Sequence, residues 1–381
     1  MEAWRGSKYM KKKRIMTIFG TRPEAIKMAP LVKKLEESKE FESILCVTAQ
    51  HREMLDMVLD LFQLEADYDL DIMEHGQTIT DITVGVLKGL EEVLQRARAD
   101  MVLVHGDTTT TFIGALAAFY QKIPVGHIEA GLRSGNIYSP YPEEMNRQLV
   151  SKIASLHFAP TRGNYQNLID EGIQASQIYI TGNTVIDALL QVVEEDYVFD
   201  NPLLNEINYN KKRLILMTCH RRENWGRPME DIFQSVVDIV ANYDDVEVVF
   251  PMHLNPNIRK LAHRIMGQVE GIHLIEPLDY KPFANLLSRA HLILTDSGGI
   301  QEEAPALGKP ILVLREETER PEAVEAGTVK IVGVDRKNIV KEVNNLLTNE
   351  EDYLQMAEAV NPYGDGRASE EIVIALTKHF E

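Results

Sequence analysis

The chain has 381 residues, with 40 lysines and arginines against 58 aspartates and glutamates, which gives a formal net charge of −18. This length suits two or three domains with sizeable cores and excludes a structural peptide or a disulfide-stabilised miniprotein. A surface this acidic repels phosphate backbones, so we expect no nucleic acid partner, and an anionic ligand needs a locally basic site.

The cysteines and apolar runs indicate the compartment. Only two cysteines occur, Cys46 and Cys219, which supports neither a disulfide framework nor a cysteine-rich zinc site and indicates a reducing, cytoplasmic setting. Because no apolar run approaches the roughly 18 residues of a membrane helix, we expect no membrane partner. The apolar run after the basic residues 11–14 is too short for a signal peptide, and residues 1–9 match no element.

Short runs of Val, Ile and Leu alternate with longer helical patterns, which is typical of parallel strands covered by helices on both faces. In the first half we predict strands at 15–19, 43–48, 101–105, 125–128, 157–159 and 178–181. In the second half we predict strands at 214–218, 246–251, 273–275, 292–295, 311–314 and 329–332. The predicted fold class is therefore α/β with two Rossmann-like halves. We place their boundary at Gly182, which gives an N-terminal domain 1–182, a C-terminal domain 183–368 and a final helix after it.

Ligands of open parallel sheets bind beyond the carboxyl ends of the strands. The first strand runs into Gly20-Thr-Arg-Pro-Glu24, where Gly20 permits a tight turn and Pro23 suits the first helical position. A helix N-terminus with Arg22 beside it can bind an anion, although a solvated turn explains the segment equally well. The segment is not the GxGxxG fingerprint, which argues against a nicotinamide dinucleotide.

Acidic residues follow two further strands. Asp107 comes after strand 101–105 and Glu129 after strand 125–128. A helix N-cap explains Asp107 alone, but glutamate has no comparable capping preference. Two acids at neighbouring strand ends can divide acid and base duties. Loop 132–141 is long enough to be a mobile lid, and Glu143 begins the helix after it, where the helix dipole by itself favours an acid.

The second half carries two basic or glycine-rich strand ends. Strand 214–218 ends in Cys-His-Arg-Arg, residues 219–222, which suits an anionic leaving group or is simply a solvated loop. Strand 292–295 leads into Ser297-Gly298-Gly299 and a helix. Backbone N–H groups in such a turn can hold a diphosphate, and Glu303 can accept hydrogen bonds from ribose hydroxyls. Arg320 lies at another helix start.

The motifs of several enzyme classes are absent from the sequence. The chain has no HExxH pair, no Walker lysine loop and no GxSxG turn, which disfavours a metalloprotease, a P-loop kinase and an α/β-hydrolase. A diphosphate site in one half and a carboxylate cluster in the other is what a sugar-nucleotide enzyme with a glycosyltransferase-B-like fold requires.

The sequence resembles the non-hydrolysing UDP-N-acetylglucosamine 2-epimerases from about residue 14 to residue 366, with long motifs in the family's order. These motifs are GTRPEAIKMAP (20–30), TAQHR (48–52), VHGDTTTT (104–111), HIEAGLR (127–133), YPEE (141–144), TGNT (181–184), HRREN (220–224) and TDSGGIQEEAP (295–305).

The resemblance implies two Rossmann-like domains that face each other across a cleft, with helix 369–381 packed back on the first. It also implies a homodimer that reversibly converts UDP-N-acetylglucosamine to UDP-N-acetylmannosamine, and we expect no cofactor and no metal. The catalytic positions that it implies are Asp107, Glu129, Glu143 and His220. The substrate-binding positions are Arg22, Lys27, Phe283, Ser297, Gly298, Gly299, Glu303 and Arg320, and the allosteric candidates are Gln50, His51 and Arg52. The alternatives are a glycosyltransferase of the same fold, a hydrolysing epimerase and a non-catalytic sugar-nucleotide sensor.

Overall fold

The structure is a computed structural model that describes residues 11–49, 52–73 and 76–381. It divides into two compact units. Unit 1 comprises the described residues up to Ala188 together with Gly366–Glu381, and unit 2 comprises Leu189–Asp365. Over these described ranges, no helix is long and apolar enough to cross a membrane. Residues 1–9, predicted as a tail, lie outside the described residues.

Unit 1 is built on a parallel sheet with the strand order β3-β2-β1-β4-β5-β6-β7. Its strands are β1 (Lys13–Phe19), β2 (Phe41–Val47), β3 (Tyr68–Asp69), β4 (Met101–His105), β5 (Val125–Ile128), β6 (Leu156–Ala159) and β7 (Ile178–Ile180). Its helices are α1 (Arg22–Glu37), α2 (Arg52–Phe62), α3 (Ile79–Ala97), α4 (Thr109–Tyr120), α5 (Glu143–Ile153), α6 (Arg162–Asp170), α7 (Thr184–Val192), which runs past the division at Ala188, and the C-terminal α16 (Ala368–Phe380).

Unit 2 has a parallel sheet with the order β10-β9-β8-β11-β12-β13. Its strands are β8 (Arg213–Thr218), β9 (Val246–Pro251), β10 (Ile272–Ile275), β11 (Leu292–Thr295), β12 (Ile311–Val313) and β13 (Val329–Ile331). Its helices are α8 (Pro202–Glu206), α9 (Arg227–Asn242), α10 (Pro256–Met266), α11 (Tyr280–Arg289), α12 (Gly298–Glu303), α13 (Pro321–Glu325), α14 (Arg336–Thr348) and α15 (Glu350–Ala357).

All twelve predicted strands overlap strands of the structure, and the predicted α/β class is confirmed. Within the described residues, β3 is the strand that was not predicted, because two residues are too few to show a period. β4 and β5 are buried along their whole length, as expected for strands covered on both faces. Each unit has its own apolar core around its sheet.

The helix α1 shows how the local sequence sets an element. Thr21 caps it, Pro23 occupies its first turn, and the side chain of Glu24 accepts a hydrogen bond from the Thr21 N–H, which together form a capping box. Met28, Val32 and Leu35 lie buried against the sheet. Gly20 before the cap is required by close approach, since a Cβ there would lie 2.0 Å from Oγ1 of Thr48.

The C-terminal helix α16 belongs to unit 1. The rings of Phe380 and Phe41 lie 6.1 Å apart, and Thr377 donates a hydrogen bond to Glu40 at 2.6 Å. At the other end of α16, the carboxylate of Asp187 accepts hydrogen bonds from the N–H groups of Ala368 and Ser369. Those bonds satisfy helix donors that would otherwise lack partners.

In each sheet the chain first adds strands on one side of its first strand and then continues on the other side. This change lies between β1 and β4 in unit 1 and between β8 and β11 in unit 2. In an open parallel sheet such a switch point leaves a crevice outside the carboxyl ends of the strands. The residues that follow β1 and β4, and those that follow β8 and β11, therefore lie where each unit can bind a ligand.

Candidate active site

Glu129 is the centre of the polar cluster in unit 1. It follows β5 with a φ of 60°, which a residue other than glycine adopts only when its surroundings hold it there. Its carboxylate forms an ion pair with Lys27 of α1 and accepts a hydrogen bond from Nδ2 of Asn183 at 2.9 Å. Both side chains of the ion pair are largely buried. Glu129 is thus fixed by two elements distant in the sequence.

His105 links Glu129 to Asp107. It ends β4, is 3% exposed, and its Nε2 lies 3.7 Å from Oε2 of Glu129. Burial lowers the pKa of His105 to about 4, the charges of Glu129 and Asp107 oppose this shift, and that of Lys27 reinforces it. The imidazole is therefore neutral at pH 7. The charges of Lys27, Glu129 and Asp107 all shift the pKa of this one ring, so the structure brings these three predicted site residues close together.

Helix α5 adds the third acid. Glu143 begins the helix, and its Oε2 is buried without a hydrogen-bond partner among the described residues. Three and four residues further on, Nδ2 of Asn146 donates to the Asp107 carbonyl at 2.8 Å, and the guanidinium of Arg147 donates to the Asp107 carboxylate. Residues at this spacing share one face of a helix. Glu143 therefore begins the helix that holds Asp107.

At the start of α1, two backbone donors bind an acid of the chain itself. The carboxylate of Glu24 accepts hydrogen bonds from the N–H groups of Gly20 and Thr21 at 3.1 and 2.8 Å, and the hydroxyls of Thr108 and Thr111 donate to its other oxygen. Burial raises the pKa of Glu24, against these hydrogen bonds. These two backbone donors are already occupied, so any role of this turn toward an anion falls to the half-buried Arg22.

In unit 2, the turn after β11 is bordered by two arginines. Ser297 caps α12, and its N–H donates to Oγ1 of Thr295 at 2.9 Å. A Cβ placed on Gly298 would lie 3.8 Å from Nη2 of Arg221 and 4.0 Å from Nη2 of Arg320. The absence of a side chain at Gly298 leaves space in front of two guanidinium groups, an arrangement suited to phosphate oxygens.

Asp296 holds the loop that carries His220. It is fully buried, and it accepts hydrogen bonds from the N–H groups of His220 and Arg221 and from Nδ2 of Asn224. Nδ1 of His220 lies 3.4 Å from its carboxylate, and the ring of His220 stacks on His253 at 5.7 Å. Burial lowers the pKa of His220, the charge of Asp296 opposes this, and His253 and Arg221 reinforce it.

Of two further predicted residues, Glu303 borders this turn and Phe283 lies on α11. Oε1 of Glu303 would lie 3.6 Å from a Cβ on Gly299. The pKa of the Tyr280 hydroxyl is raised well above its ordinary value by burial and by Glu303, which places Glu303 beside Tyr280. Phe283 lies half-buried on α11, one turn beyond Tyr280. The predicted UDP-binding residues of the second half therefore occur within unit 2, with Glu303 and Arg320 beside the turn that follows β11.

The allosteric candidates are described only in part. Gln50 and His51 lie outside the described residues. Arg52 begins α2 and forms ion pairs with Asp56, Asp69 and Asp71. Any anion that binds Arg52 has to compete with these three carboxylates.

Comparison with known proteins identifies the family. A sequence profile described as UDP-N-acetylglucosamine 2-epimerase matches residues 33–377. The chain is 54% identical over 371 residues to the UDP-N-acetylglucosamine 2-epimerase of Bacillus subtilis strain 168, with 97% of both chains covered. It is 54% identical over 369 residues to that of Escherichia coli K12, covering 95% of this chain and 98% of the other. The chain belongs to the UDP-N-acetylglucosamine 2-epimerase family.

Solved structures of the family agree with this assignment. The crystal structure of UDP-GlcNAc 2-epimerase from Neisseria meningitidis bound to UDP-GlcNAc matches with a TM-score of 0.84 and 51% identity, over 96% of this chain and 100% of the other. The predicted glycosyltransferase-B-like fold class and the resemblance stated from the motifs are thereby confirmed.

In this epimerase-family chain, sequence reasoning missed the residues that hold the predicted acids and His220 in place. They are Arg147 for Asp107, Asn183 for Glu129 and Asp296 for His220. Asn183 and Asp296 lie within quoted motifs and Arg147 lies three residues after one, so position along the chain gave a signal. Their partners depend on the strand order, which the sequence pattern does not specify.

Proposed function

We propose that the protein is a non-hydrolysing 2-epimerase that interconverts UDP-N-acetylglucosamine and UDP-N-acetylmannosamine. The observation that carries this proposal is a set of three acids in a chain that matches epimerases over nearly its whole length: Asp107 is held by Arg147 of α5, Glu143 begins that same helix, and Glu129 pairs with Lys27. A glycosyltransferase of the same fold or a sugar-nucleotide sensor has no evident use for three such acids.

The chemistry explains the need for these acids. The proton on C2 of the sugar is not next to a carbonyl, so its simple removal would leave an unstabilised carbanion. We propose that a carboxylate removes this proton while the C1–O bond breaks. The C–H electron pair then forms the C1=C2 double bond of 2-acetamidoglucal, and UDP leaves with the C–O pair. Return of UDP to C1 and of a proton to the opposite face of C2 gives the epimer.

The residues divide between the two steps of this route. Asp107, Glu129 and Glu143 supply the base and the acid, with Lys27 and Asn183 holding Glu129. Charge that develops on the departing diphosphate is stabilised by His220, Arg320 and the Ser297–Gly298–Gly299 turn, with Arg22 as a further cation. Phe283 and Glu303 bind the uridine. A local basic site of this kind overcomes the repulsion from a net charge of −18.

The direct test uses the protein with UDP-N-acetylglucosamine alone in D2O, with the products identified by NMR. The expected result is UDP-N-acetylmannosamine that carries deuterium at C2. An epimer without deuterium at C2 contradicts the elimination route. Release of UDP and free N-acetylmannosamine identifies a hydrolysing epimerase instead, and unchanged substrate leaves the transferase or sensor functions.

Asp107 provides a second test. The substitution Asp107→Asn keeps the shape of the side chain but removes its charge. It is expected to abolish turnover while UDP binding, measured by calorimetry, stays close to that of the wild type, because Asp107 is not among the residues proposed to bind UDP. A large loss of UDP affinity would assign Asp107 to binding or folding.

We also infer a cytoplasmic homodimer. Both cysteines are buried and unpaired, which supports a reducing compartment. On α3 and α4, the apolar side chains of Val84, Phe119 and Tyr120 are 45%, 59% and 62% exposed, and covering such a patch by a second copy would remove it from water. The mass measured by light scattering tests this inference, and a single-chain mass would contradict it.

A further inference from the structure

Arg147 lies between two carboxylates in unit 1. One side of its guanidinium donates to Oδ2 of Asp107, and the other, through Nη1, donates to Oε2 of Glu144 at 3.1 Å. The Arg147 side chain is 11% exposed and that of Glu144 is fully buried. A planar guanidinium that bridges two carboxylates fixes the orientation of both, which a single ammonium group cannot do.

Glu144 is anchored independently of Asp107. Its carboxylate also accepts hydrogen bonds from the Ser134 N–H at 2.9 Å and from Nε2 of Gln148 at 3.2 Å. Burial by itself raises the pKa of Glu144, but the hydrogen bonds from Ser134, Gln148 and Arg147 outweigh it and lower the pKa. Glu144 therefore stays ionised at neutral pH and provides a fixed negative partner for Arg147.

A second contact holds the backbone of Asp107. Nδ2 of Asn146, the neighbour of Arg147 on α5, donates to the Asp107 carbonyl at 2.8 Å. Consecutive residues of one helix thus hold the main chain and the side chain of Asp107, and the same helix begins with Glu143. The position of α5 sets the placement of both acids.

We propose that Arg147 is a positioning residue for the reaction, which holds the Asp107 carboxylate in its working orientation and is itself anchored on the buried Glu144. The inference rests on the proposed epimerase function. Because Arg147 contacts Asp107 and belongs to unit 1, its loss is expected to lower the rate of turnover and to leave UDP affinity unchanged. A misplacement of a catalytic group by about 1 Å can cost on the order of a hundredfold in rate.

The test compares Arg147→Ala, Arg147→Lys and the matched control Arg213→Ala. Arg213 forms a two-pronged ion pair with Asp245 at the amino end of β8, away from the proposed site. For Arg147→Ala we expect kcat to fall about a hundredfold with KM and the calorimetric UDP affinity within about twofold. We expect guanidinium at low, non-denaturing concentrations to restore part of kcat. The control should lose little kcat and show no rescue.

The lysine variant keeps the proposal testable if Arg147→Ala does not fold. Lysine preserves the charge but cannot bridge Asp107 and Glu144 together, so kcat should fall while KM stays the same. A wild-type kcat in either folded variant would overturn the proposal. So would a parallel loss of UDP affinity, or a loss of kcat that guanidinium fails to restore in folded Arg147→Ala. A wild-type protein that does not epimerise in the same assay would refute the proposed function instead.

Discussion

His157 gives the sharpest stability prediction. It is fully buried in β6, opposite His127 of β5. Burial lowers the pKa of His157 to about 4; nearby Arg133 and Lys152 act in the same direction, while Glu171 opposes them. In the unfolded chain the pKa of a histidine is about 6.5. Between these two values the unfolded chain carries a proton on His157 that the folded protein does not.

The sign and size of the effect follow from this difference. As the pH falls below about 6.5, proton uptake stabilises the unfolded chain, so the wild type loses free energy of unfolding until the pH reaches about 4. One proton corresponds to about 1.4 kcal/mol per pH unit. The substitution His157→Gln removes the group that takes up this proton. As the pH falls through the whole window, the free energy of unfolding of the variant should therefore rise by about 3 kcal/mol relative to that of the wild type, whatever the difference between them at pH 7.

Urea unfolding at several pH values between about 4.5 and 7.5, followed by circular dichroism, measures the difference. Because the chain has two units, the transition of unit 1 is fitted separately where two are seen. His263→Gln on α10 is the matched control, since His263 is exposed; its curve should run parallel to that of the wild type. A constant difference between His157→Gln and the wild type across this pH range would refute the argument that His157 is buried and neutral.

Three other substitutions test the site and its supports. Gly298→Ala adds a methyl group 3.8 Å from Arg221, which causes no clash but fills space in front of the guanidinium; we expect about tenfold weaker UDP binding by calorimetry, ~1.4 kcal/mol, with unchanged melting. Asp187→Asn weakens the cap of α16 by about 1 kcal/mol, which hydrogen exchange should show as faster exchange confined to α16. Glu24→Gln places an amide NH2 among hydrogen-bond donors and should lower the free energy of unfolding by about 2 kcal/mol, as measured in urea. Unchanged UDP affinity would contradict the expectation for Gly298→Ala. Hydrogen exchange that is accelerated uniformly along the chain would contradict the one for Asp187→Asn, and an unchanged urea midpoint the one for Glu24→Gln.

The strands and the strand-end residues could be predicted because their signals are local. The run Met-Val-Leu-Val at 101–104 is apolar because both faces of the strand are covered, and Asp107 follows shortly after it. The two-residue strand β3 could not be predicted, since its pairing with β2 depends on neighbours and not on its own pattern.

The anion site expected at the start of α1 shows a different limit. Glu24 lies in the first quoted motif without a predicted role, yet its carboxylate accepts hydrogen bonds from the N–H groups of Gly20 and Thr21. An acid three residues after a threonine is a known capping signal. That signal accounts for the bond to Thr21, whereas the hydroxyls of Thr108 and Thr111 reach Glu24 from another strand end.

The sequence by itself determined the α/β class, the glycine-rich turn at Ser297, the three acids and the family, because these depend on residue type and short spacing. Only the tertiary structure decided which charged side chains form ion pairs. Lys27 pairs with Glu129 across 102 residues, and Arg147 with Asp107 across 40. These pairs form because the strand order places β1, β4 and β5 side by side, so that their carboxyl ends meet at one edge of the sheet. Strand order is a property of the packed sheet and not of any segment within it.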